Sequence, residues 1–191
     1  MHNISAVPAV GGCGVADDEG ALVRAAQADR AAFGALYERY VDRVHAYLRA
    51  RTATPDDAAD LTQQVFLQAI DALPRYRVTR TPFAAWLFRI ARNVAINFHR
   101  SRRSTVAWDL VPAALQPVVA DDLAAGVIHT EALARLRALF AALDQDTREL
   151  LVLRFTAGLA VAAIAAVVGA SQGATRMRLV RALRTLKEHY N

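Results

Sequence analysis

Apolar residues recur at intervals of three and four along three long stretches of this chain, and this spacing restricts most strongly what the chain can fold into. Such spacing places the apolar side chains on one side of an α-helix. The three stretches follow Asp29, Thr54-Pro55 and Thr81-Pro82, residue types that begin helices. The alternation of apolar and polar residues that marks a half-buried strand is nowhere convincing. The sequence therefore predicts an all-α protein.

The apolar side of each of these three helices is predicted to face a core. It comprises Phe33, Leu36, Tyr37, Tyr40, Val41, Val44 and Leu48 in the first helix, Leu61, Val65, Phe66, Ala69, Ile70 and Leu73 in the second, and Phe83, Trp86, Leu87, Ile90, Val94 and Phe98 in the third. A shorter helix over 21–28 is expected before them, and the third helix is expected to end near Arg103.

A break in the helical pattern divides the chain into two parts. Residues 104–125 contain two prolines and lose the helical period, which is typical of a linker between domains. We therefore predict two small helical domains, at 20–103 and 126–191, that are joined by this flexible linker and preceded by a disordered tail over 1–19.

Four helices are expected in the second domain. They are one that ends near Leu143, a short one that Asp146 caps and that runs through Phe155, a compact apolar one that Gly169 ends, and a last one that Ser171 caps.

The residue types that carry chemistry are too scattered for a catalytic or metal site. Cys13 is the single cysteine, which excludes an intramolecular disulfide and a multi-cysteine zinc site and fits a reducing compartment. The five histidines have no zinc spacing, and neither a glycine-rich phosphate loop nor a nucleophile beside a base is present. We expect no catalytic residue, no metal and no cofactor, so an enzyme is the least favoured class.

No stretch of the sequence predicts a membrane segment. A spanning helix needs roughly 18 consecutive apolar residues, and no stretch supplies them. The first residues, MHNISAVPAVGGCGVADDEG, lack the basic start of a signal peptide, and Pro8 and paired glycines interrupt their apolar run. We expect a soluble cytoplasmic protein without membrane insertion.

Positive charge is concentrated in two blocks of the chain. The formal net charge is +5. Residues 82–108 hold five arginines and no acid, and residues 171–191 hold four arginines and Lys187 against Glu188 alone. Two basic blocks so far apart in sequence favour a long anionic partner that touches both, which points to nucleic acid.

The C-terminal block has the sequence form of a helix-turn-helix. In VGASQGATRMRLVRALR, residues 168–184, a helix ends at a glycine and a basic helix follows. At about 100° per residue, Leu179, Ala182, Leu183 and Leu186 fall on one side of the last helix, which is its core face, and Arg176, Arg178, Arg181 and Arg184 on the other. Such arginines can donate paired hydrogen bonds to guanine in the major groove. An ordinary solvated helix face is the alternative, which the lack of balancing acids disfavours.

The other basic block combines positive charge with aromatic and amide groups. Trp86, Asn93, Asn97 and His99 lie among its arginines, and the preceding loop holds Tyr76 beside Arg77. Unpaired bases stack on aromatic rings and are recognised through their edges, so this composition suits single-stranded or melted nucleic acid. Trp86 taken alone fits a core position better than a nucleic-acid contact.

Four segments of the chain resemble the extracytoplasmic-function (ECF) subfamily of bacterial RNA polymerase sigma factors, in the sigma-70 family. They are DRAAFGALYERYVDRVHAYL, DAADLTQQVFLQAIDALPRYR, PFAAWLFRIARNVAINFHRSRR and the region from RELLVLRF to VGASQGATRMRLVRAL. The resemblance spans about residues 20–190, and several independent motifs agree in order. It implies a protein that binds RNA polymerase core, recognises the −10 and −35 elements of a promoter and melts the DNA.

The resemblance also implies a role for particular residues. Core polymerase would be contacted, through its β′ clamp and β subunits, by Asp60, Leu61, Gln63, Gln64 and Leu67. The melted −10 element would be held by Arg75, Tyr76, Arg77, Trp86, Arg89, Asn93, Asn97 and Arg100. The double-stranded −35 element would be recognised by Ser171, Gln172, Thr175, Arg176, Arg178 and Arg181. An anti-sigma factor is a common further partner in that family, and no residue identifies its surface here.

The sequence departs from the family pattern at several positions. Gln64 stands where the family usually has glutamate, which removes one charge from the polymerase contact. Ala160 and Ala163 stand where a capping hydroxyl and a capping acid are common, and Leu143-Asp144 replaces Leu-Pro. Thr175 replaces a buried valine, so its hydroxyl must find a hydrogen bond locally.

One different class of protein remains as an alternative. A helix-turn-helix transcriptional regulator would share the C-terminal motif and carry a sensing or dimerisation module in its N-terminal half. The segment DLTQQVF and the basic helix with Asn93 and Asn97 argue against it, because a sensor has no need of them.

Overall fold

The computed structural model describes residues 14–78, 81–101, 139–140 and 142–190. The helices with defined bounds are α1 (Gly14–Ala28), α2 (Phe33–Arg49), α3 (Pro55–Ala72), α4 (Phe83–Ser101), α5 (Gln145–Leu151), α6 (Val161–Val168) and α7 (Gln172–Tyr190). Residues 139–140 and 142 are also helical. Short helical turns cover Arg30–Ala32, Leu73–Arg75 and Val152–Thr156. The described ranges contain no strand, and the all-α prediction is confirmed.

Two of the three predicted start signals in the first half of the chain act through local hydrogen bonds, whereas α4 begins at Phe83, after Thr81-Pro82, and its Phe83 amide donates to Glu19. The Thr54 hydroxyl accepts a hydrogen bond from the Asp57 amide at 3.1 Å, and Pro55 occupies the first helical position of α3. Asp29 caps the short turn that leads into α2, by accepting from the Ala31 amide at 2.9 Å.

Helix α1 is longer than the sequence predicts. It begins at Gly14, so residues 14–19, predicted as part of a disordered tail, are helical. The difference arises from partners that are distant in sequence, because the Glu19 carboxylate accepts from the Tyr40 hydroxyl and from the Phe83 amide. A periodicity argument restricted to neighbouring residues does not detect such contacts. Residues 1–13 lie outside the described part of the chain.

Residues 14–101 form the N-terminal unit, in which α1 packs on α2, α2 on α3 and α3 on α4. Its core contains the predicted apolar faces, with Leu36, Tyr40, Val44, Leu48, Val65, Leu73 and Leu87 almost without exposure, and also Phe88, which was not predicted. Tyr37 is the exception among the predicted core positions. It is 43% exposed, and only its ring edge packs, against Phe66 at 4.7 Å between ring centroids.

The described residues 139–190 form the C-terminal unit, whose turns follow the glycines. Gly158 and Gly169 both have positive φ, and Gly169 ends α6 in the left-handed conformation that side chains with a Cβ disfavour. The cap of α5 is Asp144, whose carboxylate accepts from the Thr147 amide at 2.9 Å, so the prediction of Asp146 as the cap is wrong. Asp146 lies in the first turn instead.

The helix-turn-helix is preserved despite the departures from the family pattern. As predicted, α6 has no side-chain cap at Ala160, and Ser171 caps the helix after the turn through the Ala174 amide at 3.2 Å. The Thr175 hydroxyl is buried and donates to the Ser171 carbonyl at 2.9 Å, which is the predicted local partner. Ala163 is also buried, so an acid at that position would have to lose its hydration.

The two units pack against each other and share one core. α6 lies between α4 of the N-terminal unit and α7 of its own unit, and α2 contacts the turn Val152–Thr156. Alanines supply much of the buried surface of α4 and α6, which allows the two backbones to approach closely. The predicted linker 104–125 lies outside the described residues.

Polar groups fix this contact at two places. The Glu149 carboxylate on α5 accepts from the Tyr47 hydroxyl at 2.9 Å and forms an ion pair with the buried Arg51 guanidinium. The Arg92 guanidinium lies 3.8 Å from the same carboxylate. Separately, the Arg43 guanidinium donates to the Ala157 carbonyl at 2.9 Å.

Candidate functional site

The outer face of α3 carries polar side chains that no packing requirement explains. Asp60, Gln63 and Gln64 are exposed on the side opposite the core residues Val65 and Phe66. Leu67 lies among them and is 59% exposed, although it is a large apolar residue. A polar helix face with an apolar residue at its centre is suited to contact another protein.

One member of the predicted polymerase-binding set does not lie on this face. Leu61 is buried between α3 and its neighbours, so its side chain supports the helix and is not available to a partner. The exposed Tyr37 on α2, whose ring packs against Phe66, is an apolar residue at the edge of α3 that sequence reasoning assigned to the core. Its position at the limit of the apolar stripe is the sequence signal that could have identified it.

A second face follows α4 on the side away from the core. Arg89, Asn93, Asn97 and Arg100 are all exposed, and their spacing of three and four residues aligns them in one row. Trp86 begins the same row and is half-buried. No acidic residue occurs between Phe83 and Ser101, so Arg89 and Arg100 give the row a net positive charge.

The loop before α4 is anchored by a cluster of aromatic rings. The Tyr76 ring lies 4.9 Å from the Trp86 ring and 5.6 Å from the Phe83 ring, measured between centroids. Burial, and then the charge of Glu19, raise the pKa of Tyr76, so its hydroxyl stays protonated at neutral pH and donates to the Thr81 carbonyl at 3.4 Å. Trp86 is therefore both a packing residue and part of the surface.

Two arginines flank this anchored ring. Arg75 and Arg77 are exposed on either side of Tyr76. All eight residues predicted for the −10 element therefore lie in the turn and loop after α3 or on the outer row of α4, and the contact between the Tyr76 and Trp86 rings joins these two parts.

Helix α1 contributes two polar residues that sequence reasoning missed. The Gln27 side-chain amide donates to the Leu73 carbonyl at 3.0 Å and to the Tyr76 carbonyl at 2.6 Å. The Glu19 carboxylate accepts from the Phe83 amide at 3.1 Å. Neither residue stands in a local motif, and these three main-chain partners are 46, 49 and 64 residues away in sequence, so no short pattern could have identified them.

The third face is the charged side of α7, the last helix, and this side is directed outward. Arg176 and Arg181 are exposed, and Arg178 lies 3.8 Å from the Asp146 carboxylate in an exposed pair. Ser171 and Gln172 are exposed at the start of this helix. Thr175, predicted among the DNA-contacting residues, is 1% exposed and faces α6 and the core, so it holds the helix in place.

Apolar side chains lie between these arginines. Met177 and Val180 are about half exposed on α7, and so is Leu183, for which the prediction of a core position is wrong. The face thus combines positive charge with methyl and thioether groups, which suits a groove that displays both phosphates and thymine methyl groups.

The described residues hold no group of three or more His, Cys, Asp or Glu side chains that could bind a metal ion. Within the same ranges, no helix is both long and apolar enough to cross a membrane.

Comparison with protein families assigns both units. The family model Sigma-70 region 2 matches residues 36–105, and the family model Sigma-70, region 4 matches residues 139–188. The first match covers α3, α4 and the loop between them, and the second covers α5, α6 and α7.

Curated relatives and solved structures agree with these matches. ECF RNA polymerase sigma factor BldN of Streptomyces coelicolor is 34% identical over 169 residues, which are 86% of this chain and 63% of BldN. ECF RNA polymerase sigma factor SigD of Mycobacterium tuberculosis is 33% identical over 173 residues, 87% of this chain and 81% of SigD. The chain thus spans less than two thirds of BldN.

Among solved structures, CnrH, determined in complex with the cytosolic domain of CnrY, is similar with a TM-score of 0.64 and 27% identity. That similarity covers 89% of this chain and 95% of CnrH. Two matching sigma-70 regions in the expected order, together with relatives of this identity, establish the family. The chain belongs to the ECF RNA polymerase sigma factors of the sigma-70 family.

Proposed function

We propose that the three faces divide the work of promoter-specific initiation between them. The outer face of α3 binds polymerase core, the row on α4 with the Tyr76 loop holds the melted −10 strand, and α7 docks into the duplex at the −35 element. The observation that carries this proposal is the exposed row on α4, with its arginines and asparagines, joined to the Tyr76 loop through the contact between the half-buried Tyr76 and Trp86 rings.

The aromatic and amide groups on α4 support capture of an unpaired strand. Asn93 and Asn97 can both donate to and accept from base edges, and Tyr76 and Trp86 offer faces on which a base can stack. Binding an unpaired strand favours the open duplex over the closed one, because the ligand shifts the equilibrium toward the state that it binds. Strand separation then needs no catalytic residue.

The exposed arginines on α7 support docking into an intact duplex. Arg176 and Arg181 are free to reach base edges or phosphates, and Arg178 can do so after it leaves the exposed Asp146 carboxylate. An exposed ion pair of this kind contributes under about 1 kcal/mol, so releasing it costs little.

Promoter geometry requires the two units to separate. The centres of the −10 and −35 elements differ by about 25 base pairs, which is about 85 Å of duplex at 3.4 Å per base pair. Here α7 and α4 both pack on α6, so their axes lie within about 20 Å of each other, two helix-packing distances. The contact at Glu149 and Arg43 therefore opens when both elements are occupied.

Two further aspects of the function are proposed from the relatives. CnrH is bound to the cytosolic domain of CnrY, which supports a regulatory protein partner, an anti-sigma factor, for this chain. Action on polymerase and promoter DNA places this chain in the cytoplasm.

The division of work is tested with purified polymerase core and a library of randomised promoters. Wild-type protein should direct core to a defined promoter. Arg176→Ala with Arg181→Ala should reduce promoter affinity by about 30-fold or more, at about 1–3 kcal/mol for each of the two lost base contacts, and leave core binding unchanged. Asp60→Ala with Gln63→Ala should weaken core binding in a pull-down and leave the DNA-contacting residues intact.

The matched control is Arg30→Ala, which removes an exposed arginine outside all three faces. If the wild-type chain binds duplex DNA tightly alone and does not bind core, the protein acts as a conventional helix-turn-helix regulator. If both double variants lose core binding and promoter binding equally, the assignment of separate faces is wrong.

A further inference from the structure

Helix α1 holds the loop between α3 and α4 at both of its ends. Gln27 lies near the end of α1 and contacts the Leu73 and Tyr76 carbonyls, where the loop begins. Glu19 lies two turns earlier and contacts the Phe83 amide, where the loop ends and α4 starts. The two residues are eight positions apart, which is about 12 Å along a helix. α1 therefore spans the loop that carries Tyr76 and Arg77.

The Gln27 contact uses both hydrogens of a side-chain amide on two main-chain oxygens. The Leu73 carbonyl also accepts from the Tyr76 amide at 3.0 Å, so Gln27 adds its two bonds to a single local turn. Carbonyl oxygens at the end of a helix have no partner within the helix and need one from elsewhere. Gln27 adds a second donor to the Leu73 carbonyl and donates to the Tyr76 carbonyl, and so fixes the direction in which the chain leaves α3.

The Glu19 contact fixes the other end of the loop. A carboxylate that accepts from a main-chain amide at the start of a helix satisfies an otherwise unpaired donor and is favoured by the helix dipole. The second carboxylate oxygen accepts from the Tyr40 hydroxyl of α2, so Glu19 is itself held in place. Burial, followed by the hydrogen bond to Glu19, raises the pKa of Tyr40 and keeps this donor protonated.

The position of α1 makes these contacts specific to the loop. Val23 and Ala26 are buried and attach α1 to the core, whereas Gln27 and Glu19 are directed at main-chain groups of the loop and of α4. Capture of a flexible strand costs less when the binding loop is already held in its bound shape. The same contacts would be unnecessary if the loop were only a connection between two helices.

We propose that α1 is a brace for the strand-capturing loop and that Gln27 is its main positioning residue, which sets the base selectivity of Tyr76 and its neighbours without touching DNA. This inference rests on the proposed assignment of the loop to the melted −10 strand. Gln27 acts through the Tyr76 main chain, so its loss should reduce base selectivity more than it reduces overall DNA affinity.

The test uses holoenzyme assembled from the full chain and polymerase core. The template is the promoter that the wild-type holoenzyme selects from a randomised library, prepared with its −10 segment already mismatched and open. The measured quantity is base discrimination, the ratio of affinities for the selected base and for each other base at the most selective −10 position. A pre-opened template removes the cost of melting from this ratio.

Four substitutions of Gln27 separate its chemistry from its size. Gln27→Met keeps the length and removes both donors, and Gln27→Glu places acceptors against the two carbonyls. Gln27→Lys keeps donors, and Gln27→Asn keeps the amide but is one methylene too short. Gln145→Met makes the same change as Gln27→Met at an exposed position on α5 and is the matched control.

We expect discrimination to fall about tenfold in the Met and Glu variants, as the loss of one to two hydrogen bonds would produce. Lys should retain discrimination within about threefold, Asn should lie between, and Gln145→Met should equal wild type. Core binding should be unchanged throughout. If Gln27→Met does not fold, Gln27→Asn and Gln27→Lys decide the question, because a positioning role predicts that Lys exceeds Asn.

Two results would overturn the brace. In the first, Tyr76→Ala abolishes base discrimination but Gln27→Met leaves it unchanged, which shows that the α1 contact has no part in selectivity. If Gln27→Met does not fold, unchanged discrimination in Gln27→Asn has the same meaning. If Tyr76→Ala also leaves discrimination unchanged, the loop does not hold the −10 strand, and the proposed function of this face fails together with the brace.

Discussion

The two units hold their DNA-facing surfaces in different ways. In the N-terminal unit, the loop around Tyr76 is held by Gln27 and Glu19, residues that are 49 and 64 positions from their partners in the loop and at the start of α4. In the C-terminal unit, α7 is held by Ser171 and Thr175, whose bonds join residues three and four positions apart. Polar contacts between residues far apart in sequence shape the first surface, whereas the side-chain hydrogen bonds at the start of the second are local.

This difference matches what each surface has to bind. An unpaired base is flexible, so its site must be shaped in advance by the surrounding structure. A major groove accepts any straight helix of suitable charge, and long arginine side chains adapt to it. The C-terminal unit is less stable by itself than the N-terminal unit, because α6 has eight apolar residues, lacks a side-chain cap and packs on α4 of the other unit.

The largest predicted effect removes the polar centre of the contact between the units. Glu149→Ala leaves the buried Arg51 guanidinium and the Tyr47 hydroxyl without their acceptor. Loss of one partner of a buried ion pair costs about 3–5 kcal/mol, so denaturant unfolding should show that loss of stability, and the C-terminal unit should unfold first. Equilibrium unfolding followed by amide hydrogen exchange measures both.

The control for this prediction is on the same helix. Asp146→Ala removes an acid whose ion pair with Arg178 is exposed, and it should cost under about 1 kcal/mol. If Glu149→Ala costs no more than Asp146→Ala, the C-terminal unit is as autonomous as the N-terminal one, and the contrast between them is wrong.

The second predicted effect concerns the brace in the N-terminal unit. Glu19→Ala removes the acceptor of the Phe83 amide and of the Tyr40 hydroxyl. Hydrogen bonds to charged groups contribute about 1.5–3 kcal/mol, and the stability of this unit should fall by about that amount. Glu38→Ala, at an exposed position on α2, should change it by under about 0.5 kcal/mol. Equal effects in thermal unfolding would mean that α1 is not part of the fold.

The sequence predicted the parts of this structure that depend on neighbouring residues. The apolar faces of α2, α3 and α4 and the caps at Thr54 and Ser171 follow from periodicity and local hydrogen-bond chemistry. The start of α1, the roles of Glu19 and Gln27 and the contact at Glu149 depend on residues far apart in the chain. No local pattern encodes them.

The candidate site divides in the same way. The exposed row with Asn93 and Asn97 could be predicted because helical spacing alone places it opposite the core. Leu61 and Thr175 were included in binding sets through the family motif, although helical periodicity placed Leu61 on the core side and Thr175 replaces a buried valine. The structure buries both side chains, so in these two cases the packing prediction was correct and the contact prediction was not. The error at Asp146 has a different origin, since two aspartates compete for one cap and only backbone geometry selects Asp144.

A third prediction strengthens the weaker unit. Ala160 already has the extended backbone of a cap residue, with φ −68° and ψ 153°, but has no side chain that can accept from α6. Ala160→Ser should therefore stabilise the C-terminal unit by about 1 kcal/mol through the missing cap. The gain should appear in hydrogen exchange of α6 and be absent from α2. A gain in both units alike would show that they unfold together.

The smallest predicted effect depends on pH and on a cap that is already present. Hydrogen bonds from the Thr147 hydroxyl and amide lower the pKa of Asp144, because they stabilise its charged form. A carboxyl group whose folded-state pKa is lowered adds stability above its unfolded value, near 3.9, and that stability is lost as the pH falls through the folded value. The carboxylate is exposed and solvent screens it, so this pH-dependent part should be under about 1 kcal/mol.

Asp144→Asn tests this prediction, because it keeps a hydrogen-bond acceptor at the cap but does not titrate. The difference in unfolding free energy between wild type and Asp144→Asn should be constant from pH 7 to 5 and shrink below pH 4. If the difference between wild type and Glu38→Gln does not shrink in the same way, the effect belongs to the cap.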